Sequence, residues 1–271
     1  MKESFFEERG ICYRINEFVA GRTTLVFIHG LSGSASAWFP FEALFSADYN
    51  IVTFDLRGHG NSIRPRHFQE YALTAYADDL HALLGHLHIE TCVLVSHSLG
   101  ALVALEYLTA HPGTPQGVVF LSPSSFLKQT RWFFLIRSAG RLLALLGRIL
   151  PFFTKRRGRV LYAQLGYTSD WDLRRIIRDL RVTTLHAYVY CLVQAYEKDY
   201  DELWESIAVP TLILHGTRDT YIPLQHSRRL AEVIPGAQLV VLEGANHLPV
   251  LNNISAVAQH IRTFVASVAP R

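Results

Sequence analysis

Cysteine is sparse and unpaired in this sequence: Cys12, Cys92 and Cys191 are an odd number at wide spacing, with no C-x-x-C pair among 271 residues. That excludes a disulfide framework and a thiolate zinc site as expectations, and it points to a reducing, cytoplasmic setting. An apolar leader is missing too. The opening MKESFFEERG places acidic residues where a secretory signal carries its apolar stretch, so secretion is not expected. There is no repeat and no low-complexity tract. No complete G-x-G-x-x-G occurs, since GHGNS and HGLSGS both fall short, and no dinucleotide is implied. Thirteen histidines invite a metal, yet His81, His86 and His88 have neither ligand spacing on a helix face nor a companion set of carboxylates. The expectation is therefore no metal and no cofactor.

Apolar residues make up 49% of the chain and charged residues 18%, enough for a sizeable core and too few charges for wholesale disorder. The length suits one large α/β domain, or one such domain with an insertion. FFEERGICYRINE reads as a hairpin turning near Gly10. Short apolar runs follow at 24–30, 50–56, 92–96, 117–122, 211–216 and 237–244, the pattern of strands covered on both faces. Helical periodicity lies between several of them, as at 73–87, and after the last at 254–268. This alternation predicts an α/β fold with an open, mainly parallel sheet flanked by helices. The rhythm breaks between 124 and 205, where helical patterns such as 168–180 and 183–199 occur without a convincing strand. Residues 1–123 and 206–271 are thus expected to form the core domain and 124–205 a helical cap.

In an open α/β sheet the site lies beyond the carboxyl ends of the strands. The residues that follow these strands read HGLSGSASAW, DLRGHGNS, SHSLG, HGTRDTYIP and EGANHLPV. Three of the tips carry Ser98, Asp219 and His247, a nucleophile, an acid and a base in that chain order. Ser98 stands at the corner of LVSHSLGALVALEY, where a strand pattern becomes a helical one. A serine hydroxyl is a weak nucleophile at neutral pH, which gives a nearby base and an orienting acid a reason to exist.

These residues carry a resemblance to the α/β-hydrolase superfamily, and within it to serine esterases and monoacylglycerol-lipase-like members. The resemblance covers nearly the whole chain except the helical insertion. It implies a nucleophile elbow at Ser98 with small neighbours at Ser96 and Gly100, Ser96 departing from the usual glycine. It implies an oxyanion hole from the backbone N–H groups of Leu31 and Leu99, with Gly30 allowing close approach, and a substrate pocket that includes Gly30, His97 and Trp38. The acid has one rival location in the family, after the strand that follows the elbow helix. Here that tip reads FLSPSS and offers Ser122 and Ser124 rather than an acid. DLRGHGNS reads as scaffold, with Asp55 and Arg57 fixing the loop and Gly58 and Gly60 making tight turns; His59 is not expected to act directly. Serine at the nucleophile position argues against the haloalkane-dehalogenase branch, and the absence of cysteine there against the dienelactone-hydrolase branch.

The insertion is unusual in its charge. Between Ser124 and Ala163 stand nine basic residues, Lys128, Arg131, Arg137, Arg141, Arg148, Lys155, Arg156, Arg157 and Arg159, and no acidic one. With a net charge of only +3 for the whole chain, the remainder is negative. RWFFLIRSAGRLLALLGRILPFF places three arginines on one helical side, and arginines so embedded argue against a membrane span. A basic amphipathic helix fits a lid over an apolar acyl pocket or a peripheral contact with a membrane surface. The plainer reading puts the arginines in solvent and the leucines on the core. Nothing resembles a nucleic-acid recognition module. The expected activity is hydrolysis of a small-molecule carboxylic ester with an apolar acyl chain, through an acyl-enzyme on Ser98. Two alternatives keep the same fold: a C–C bond hydrolase of ring-cleavage diketone acids, and a ligand-binding receptor without turnover.

Overall fold

The computed structural model describes residues 1–126, 133–147, 158–183 and 185–268. Its eight strands are β1 (Lys2–Phe6), β2 (Ile11–Ile15), β3 (Thr24–Ile28), β4 (Asn50–Phe54), β5 (Cys92–His97), β6 (Pro115–Leu121), β7 (Thr211–Gly216) and β8 (Gln238–Leu242). They form one sheet in the order β1-β2-β4-β3-β5-β6-β7-β8. β1 and β2 make the expected hairpin, Lys2 opposite Ile15 and Phe6 opposite Ile11, and β2 meets β4 antiparallel; every later pair is parallel. Strands β3, β4 and β5 are buried along their whole length, which is why they read as continuous apolar runs rather than as alternating ones.

Helices α1 (Phe39–Phe45), α2 (Leu73–His86), α3 (Leu99–Ala110), α4 (Phe133–Gly147), α5 (Leu173–Thr183), α6 (Leu185–Ala195), α7 (Leu224–Val233), α8 (Pro249–Asn252) and α9 (Ile254–Val268) complete the described chain. Two apolar clusters cover the sheet. One gathers Tyr76 and Leu80 of α2 with Leu102 and Leu105 of α3, and it extends into the cap through Tyr190 and Cys191 of α6. The other packs Phe41 and Phe45 of α1 with Ile261 and Phe264 of α9. α3 is buried on nearly every side, so its sequence is apolar all round instead of amphipathic.

Trp38 departs from expectation. Instead of lining a pocket it is fully buried in the second cluster, with ring centroids 5.0 Å from Phe27 and 5.4 Å from Phe41. The helical turn at 35–38 rolls the indole under the sheet and leaves its small neighbour Ala37 facing the cavity.

Described residues of the helical interval join the first cluster on the sheet. Tyr190 packs edge-on to Phe68 and Tyr71, at 5.2 and 5.5 Å between centroids. Trp204 packs on Phe120 of β6 at 5.4 Å. α5 begins at Leu173, not among the residues 168–170, because Asp172 supplies the cap: its Oδ1 accepts the N–H groups of Arg174 and Arg175 at 2.8 and 3.2 Å. Of the basic residues noted in the insertion, Lys128, Arg131, Arg148, Lys155, Arg156 and Arg157 lie outside the described residues.

Candidate active site

The corner between β5 and α3 holds Ser98 at φ +52°, ψ −117°, a region that side chains other than glycine rarely adopt. Two constraints keep it there. The Ser98 N–H donates to the Leu121 carbonyl at 3.0 Å, and the N–H groups of Ala101 and Ser124 both donate to the Ser98 carbonyl. The turn is also tightly packed: a Cβ on Gly100 would stand 2.7 Å from the carbonyl oxygens of Ile28 and His29, and one on Gly30 would stand 3.1 Å from Ser98 Cβ. Ser96 fits where glycine is usual because its buried hydroxyl donates to the Val119 carbonyl at 3.2 Å.

Three strand ends bring the acid, base and hydroxyl together. His247 Nε2 lies 2.9 Å from Ser98 Oγ, and His247 Nδ1 lies 2.7 Å from Asp219 Oδ2. The Asp219 side chain is buried, and its Oδ1 accepts the backbone N–H groups of Tyr221 and Ile222 at 2.9 and 2.8 Å. Burial opposes ionisation of this carboxyl, but the hydrogen bond and charge of His247 and the Ile222 N–H outweigh it, so its pKa falls below the ordinary value. An anion at Asp219 accepts a hydrogen bond from His247 Nδ1–H, which fixes that tautomer and leaves Nε2 free to accept from the Ser98 hydroxyl.

A second histidine touches the same carboxylate. His215 Nε2 is 3.4 Å from Asp219 Oδ2 and donates to the Ile222 carbonyl at 3.0 Å, while its Nδ1 is 2.7 Å from Ser227 Oγ. Burial lowers its pKa, which keeps the ring neutral. His97, expected at the pocket, does line it, but its Nε2–H donates to the His247 carbonyl at 2.8 Å. Burial and the nearby His247 push its pKa down to about 3. As a neutral donor, His97 ties the loop of His247 to the strand that leads into Ser98.

The loop after β3 is held from behind. His29 Nδ1–H donates to the Gly30 carbonyl at 2.8 Å, the Gly33 N–H donates to the same oxygen at 3.1 Å, and the Leu56 N–H donates to His29 Nε2 at 3.0 Å. These bonds fix the Gly30–Leu31 peptide plane, whose N–H points opposite to its carbonyl. His59 Nε2 lies 2.5 Å from the Leu31 carbonyl and Nδ1 lies 2.9 Å from that of Arg57. Asp55 accepts from the Ala35 N–H and pairs with Arg159, and Arg57 pairs with Asp79. On the other side, Leu99 opens α3, so its N–H has no partner inside the helix.

Gly30, Leu31, His97, Ser98, Leu99 and His247 all face one cavity of about 580 Å³. Its remaining wall is largely apolar, with Ile176 and Leu192 from the cap and Leu248 and Val250 from the core. Arg175 and Asp179 form a buried ion pair in that wall, at 2.8 Å. Burial raises the Asp179 carboxyl to about 6 in spite of Arg175 and the Tyr162 hydroxyl, which donates to it at 2.8 Å. Among the described residues no group of three or more His, Cys, Asp or Glu side chains is arranged to hold a metal.

One contributor went unnoticed in the sequence. Asp170, buried in the loop before α5, accepts the His247 backbone N–H on Oδ1 at 2.9 Å. On Oδ2 it accepts the Thr220 N–H and hydroxyl at 2.9 and 2.7 Å. A single carboxylate therefore clamps the loop of Asp219 to the loop of His247. Reading 168–170 as the start of a helix concealed this role. The available signal was charge: Asp170 is the first acidic residue after Glu106.

A family model described as alpha/beta hydrolase fold matches residues 23–254. An uncharacterized protein of Mycobacterium tuberculosis is 27% identical over 263 residues, covering 91% of this chain and 76% of that one. The non-heme chloroperoxidase CPO-A1 of Kitasatospora aureofaciens is 28% identical over 250 residues, covering 82% and 84%. Among solved structures, the esterase RhEst1 from Rhodococcus sp. ECU1013 superposes with a TM-score of 0.72 at 25% identity, covering 98% of each chain.

Proposed function

The chain belongs to the α/β-hydrolase family, and from that premise we propose that it is a serine hydrolase of carboxylic esters with an apolar acyl chain. The observation that carries the reading is the unbroken chain Ser98–His247–Asp219, with contacts of 2.9 and 2.7 Å, at the floor of a mostly apolar cavity. Ser98 Oγ attacks the ester carbonyl while His247 Nε2 takes its proton, forming the C–O bond of a tetrahedral intermediate. The oxyanion is stabilised by the N–H groups of Leu31 and Leu99, each worth about 10²–10³ in rate where such donors have been removed. His247 then returns the proton to the departing alkoxide, leaving an acyl-Ser98 ester. Water, activated by the same imidazole, hydrolyses that ester to the acid and free serine.

The polar pair in the wall favours an ester over a diketone acid. Arg175 is already matched by Asp179 and also donates to the Asp170 carbonyl at 2.6 Å, so it offers a substrate carboxylate no surplus charge. The test is a series of p-nitrophenyl esters of increasing acyl length. If the acyl chain enters the apolar cavity, kcat/KM rises about fourfold for each added CH₂ until the cavity is full, from about 0.8 kcal/mol per buried CH₂. Indifference to chain length, or faster cleavage of a vinylogous diketone acid than of any ester, overturns the reading.

Asp170 acts as a positioning residue in this scheme. Asp170→Ala removes both acceptors and is expected to lower kcat by about 10- to 100-fold with KM changed little, because a misplaced base weakens the transition state more than the bound substrate. Asp170→Asn, which keeps one acceptor oxygen, recovers part of the loss. Equal losses in the two variants, or a change confined to KM, count against the clamp.

A further inference from the structure

The leucine-rich side of α4 faces away from the protein. Two of its arginines are held at the edge of that side: Arg141 Nε donates to Glu197 at 2.5 Å, and Arg137 lies 3.5 Å from the same carboxylate. Gly140 sits against Val193 of α6, so this edge of the helix is pinned to the cap. The plainer expectation, arginines in solvent and leucines on the core, fails for the described leucines, while Arg141 is itself about half exposed. Phe134, Leu135, Leu142, Leu143 and Leu145 are between 49% and 77% exposed. At about 100° per residue they spread over roughly half the helix circumference, with Arg141 and Arg137 just beyond the edge marked by Phe134. None of them lines the cavity at Ser98, so the acyl pocket does not account for them. A contiguous apolar face of this kind marks an interaction site.

We propose that this face docks on the surface of an anionic lipid bilayer. Charge identifies the partner. The forty residues from Ser124 to Ala163 include nine basic side chains and no acidic one, and α4 lies within that stretch. A bilayer supplies what both features need: headgroups of opposite sign for the basic segment and an acyl layer for the leucines. A second copy of the chain would instead bring the same positive segment against itself. The helix, at 15 residues, is about 22 Å long and falls short of the ~30 Å hydrocarbon layer. Among the described residues no helix is long and apolar enough to cross a membrane. α4 therefore lies along the interface, with Phe134, Leu142 and Leu145 in the acyl boundary and the paired arginines at the edge of that face.

Docking of this face does not depend on ester hydrolysis, and its test reads no turnover. The full chain is sedimented with phosphatidylcholine vesicles, with and without phosphatidylserine, at low and high salt. Expected is at least about tenfold more binding to the anionic vesicles, weakened by salt. The double variant Leu142→Glu with Leu145→Glu is expected to lose at least about tenfold of that binding, and Leu135→Ser with Leu143→Ser to lose part of it, with melting curves unchanged because these side chains are exposed. Absence of the wild-type chain from the anionic pellet overturns the proposal. So does equal, salt-insensitive binding to both vesicles, or a Leu142→Glu/Leu145→Glu variant that sediments like the wild type. Light scattering covers the remaining occupant: a dimer that this double variant converts to monomer assigns the face to a second copy and overturns the lipid assignment.

Discussion

Ser98→Ala is expected to lower kcat/KM for every ester substrate by about 10⁴-fold or more, since without the hydroxyl neither the covalent intermediate nor its activation by His247 exists. Activity within tenfold of wild type, measured on protein freed of contaminating esterase, would remove Ser98 from the mechanism. A companion variant separates chemistry from architecture. The φ of +52° at Ser98 costs on the order of 1–3 kcal/mol for a residue with a Cβ, and the strain persists because the Leu121 carbonyl, the Ser124 N–H and the packed Gly30 and Gly100 leave no room to relax. Glycine adopts that region freely, and the entropy it gains in the unfolded chain offsets only part of the relief. Ser98→Gly is therefore expected to be as inactive as Ser98→Ala and more stable than it by about 1 kcal/mol in urea unfolding. A Ser98→Gly protein no more stable than Ser98→Ala would mean that the turn stores no strain.

Strand ends were the most legible part of the site in the sequence, for a physical reason. A central parallel strand must be apolar on both faces, so the first polar residues after each run mark the place where the chain leaves the sheet. Ser98 and Asp219 stand just beyond such runs, His247 follows the half-exposed edge strand β8, and the sheet order places β5, β6, β7 and β8 side by side. Residues whose position depends on long-range packing were not legible. Trp38 follows the glycine-rich loop closely enough to suggest the pocket, but only the tertiary fold decides which side of a short helical turn faces inward. Asp170 acts through partners 50 and 77 residues away, and no local pattern encodes that. α4 shows the limit most clearly. Helical periodicity separates its arginines from its leucines, yet which side meets the protein depends on Glu197, contributed from beyond α6. His29 and His59 were visible as motif residues, but their service as braces for the Gly30 and Leu31 carbonyls appears only in three dimensions.

Asp219→Asn is expected to cost about 10⁴-fold in kcat while leaving KM nearly unchanged, through the tautomer of His247 rather than through lost packing. The backbone N–H groups of Tyr221 and Ile222 both point at Oδ1, so they would select the amide oxygen for that position. The amide nitrogen is then turned toward His247 Nδ1, which presents its N–H to the wild-type carboxylate. Donor facing donor is resolved at His247 by moving its proton to Nε2, where it blocks acceptance of the Ser98 hydroxyl proton. His215 cannot take over the orienting role, because it is a neutral donor held by the Ile222 carbonyl and Ser227. In the wild type, the lowered pKa of Asp219 keeps the carboxylate ionised at neutral pH, so it remains an acceptor for the His247 Nδ1–H. The accompanying signature is spectroscopic: a strongly hydrogen-bonded imidazole N–H, resolved downfield in the proton spectrum of the wild type, disappears in Asp219→Asn. Retention of that resonance together with a kcat within tenfold of wild type would show that Asp219 does not set the tautomer of the base.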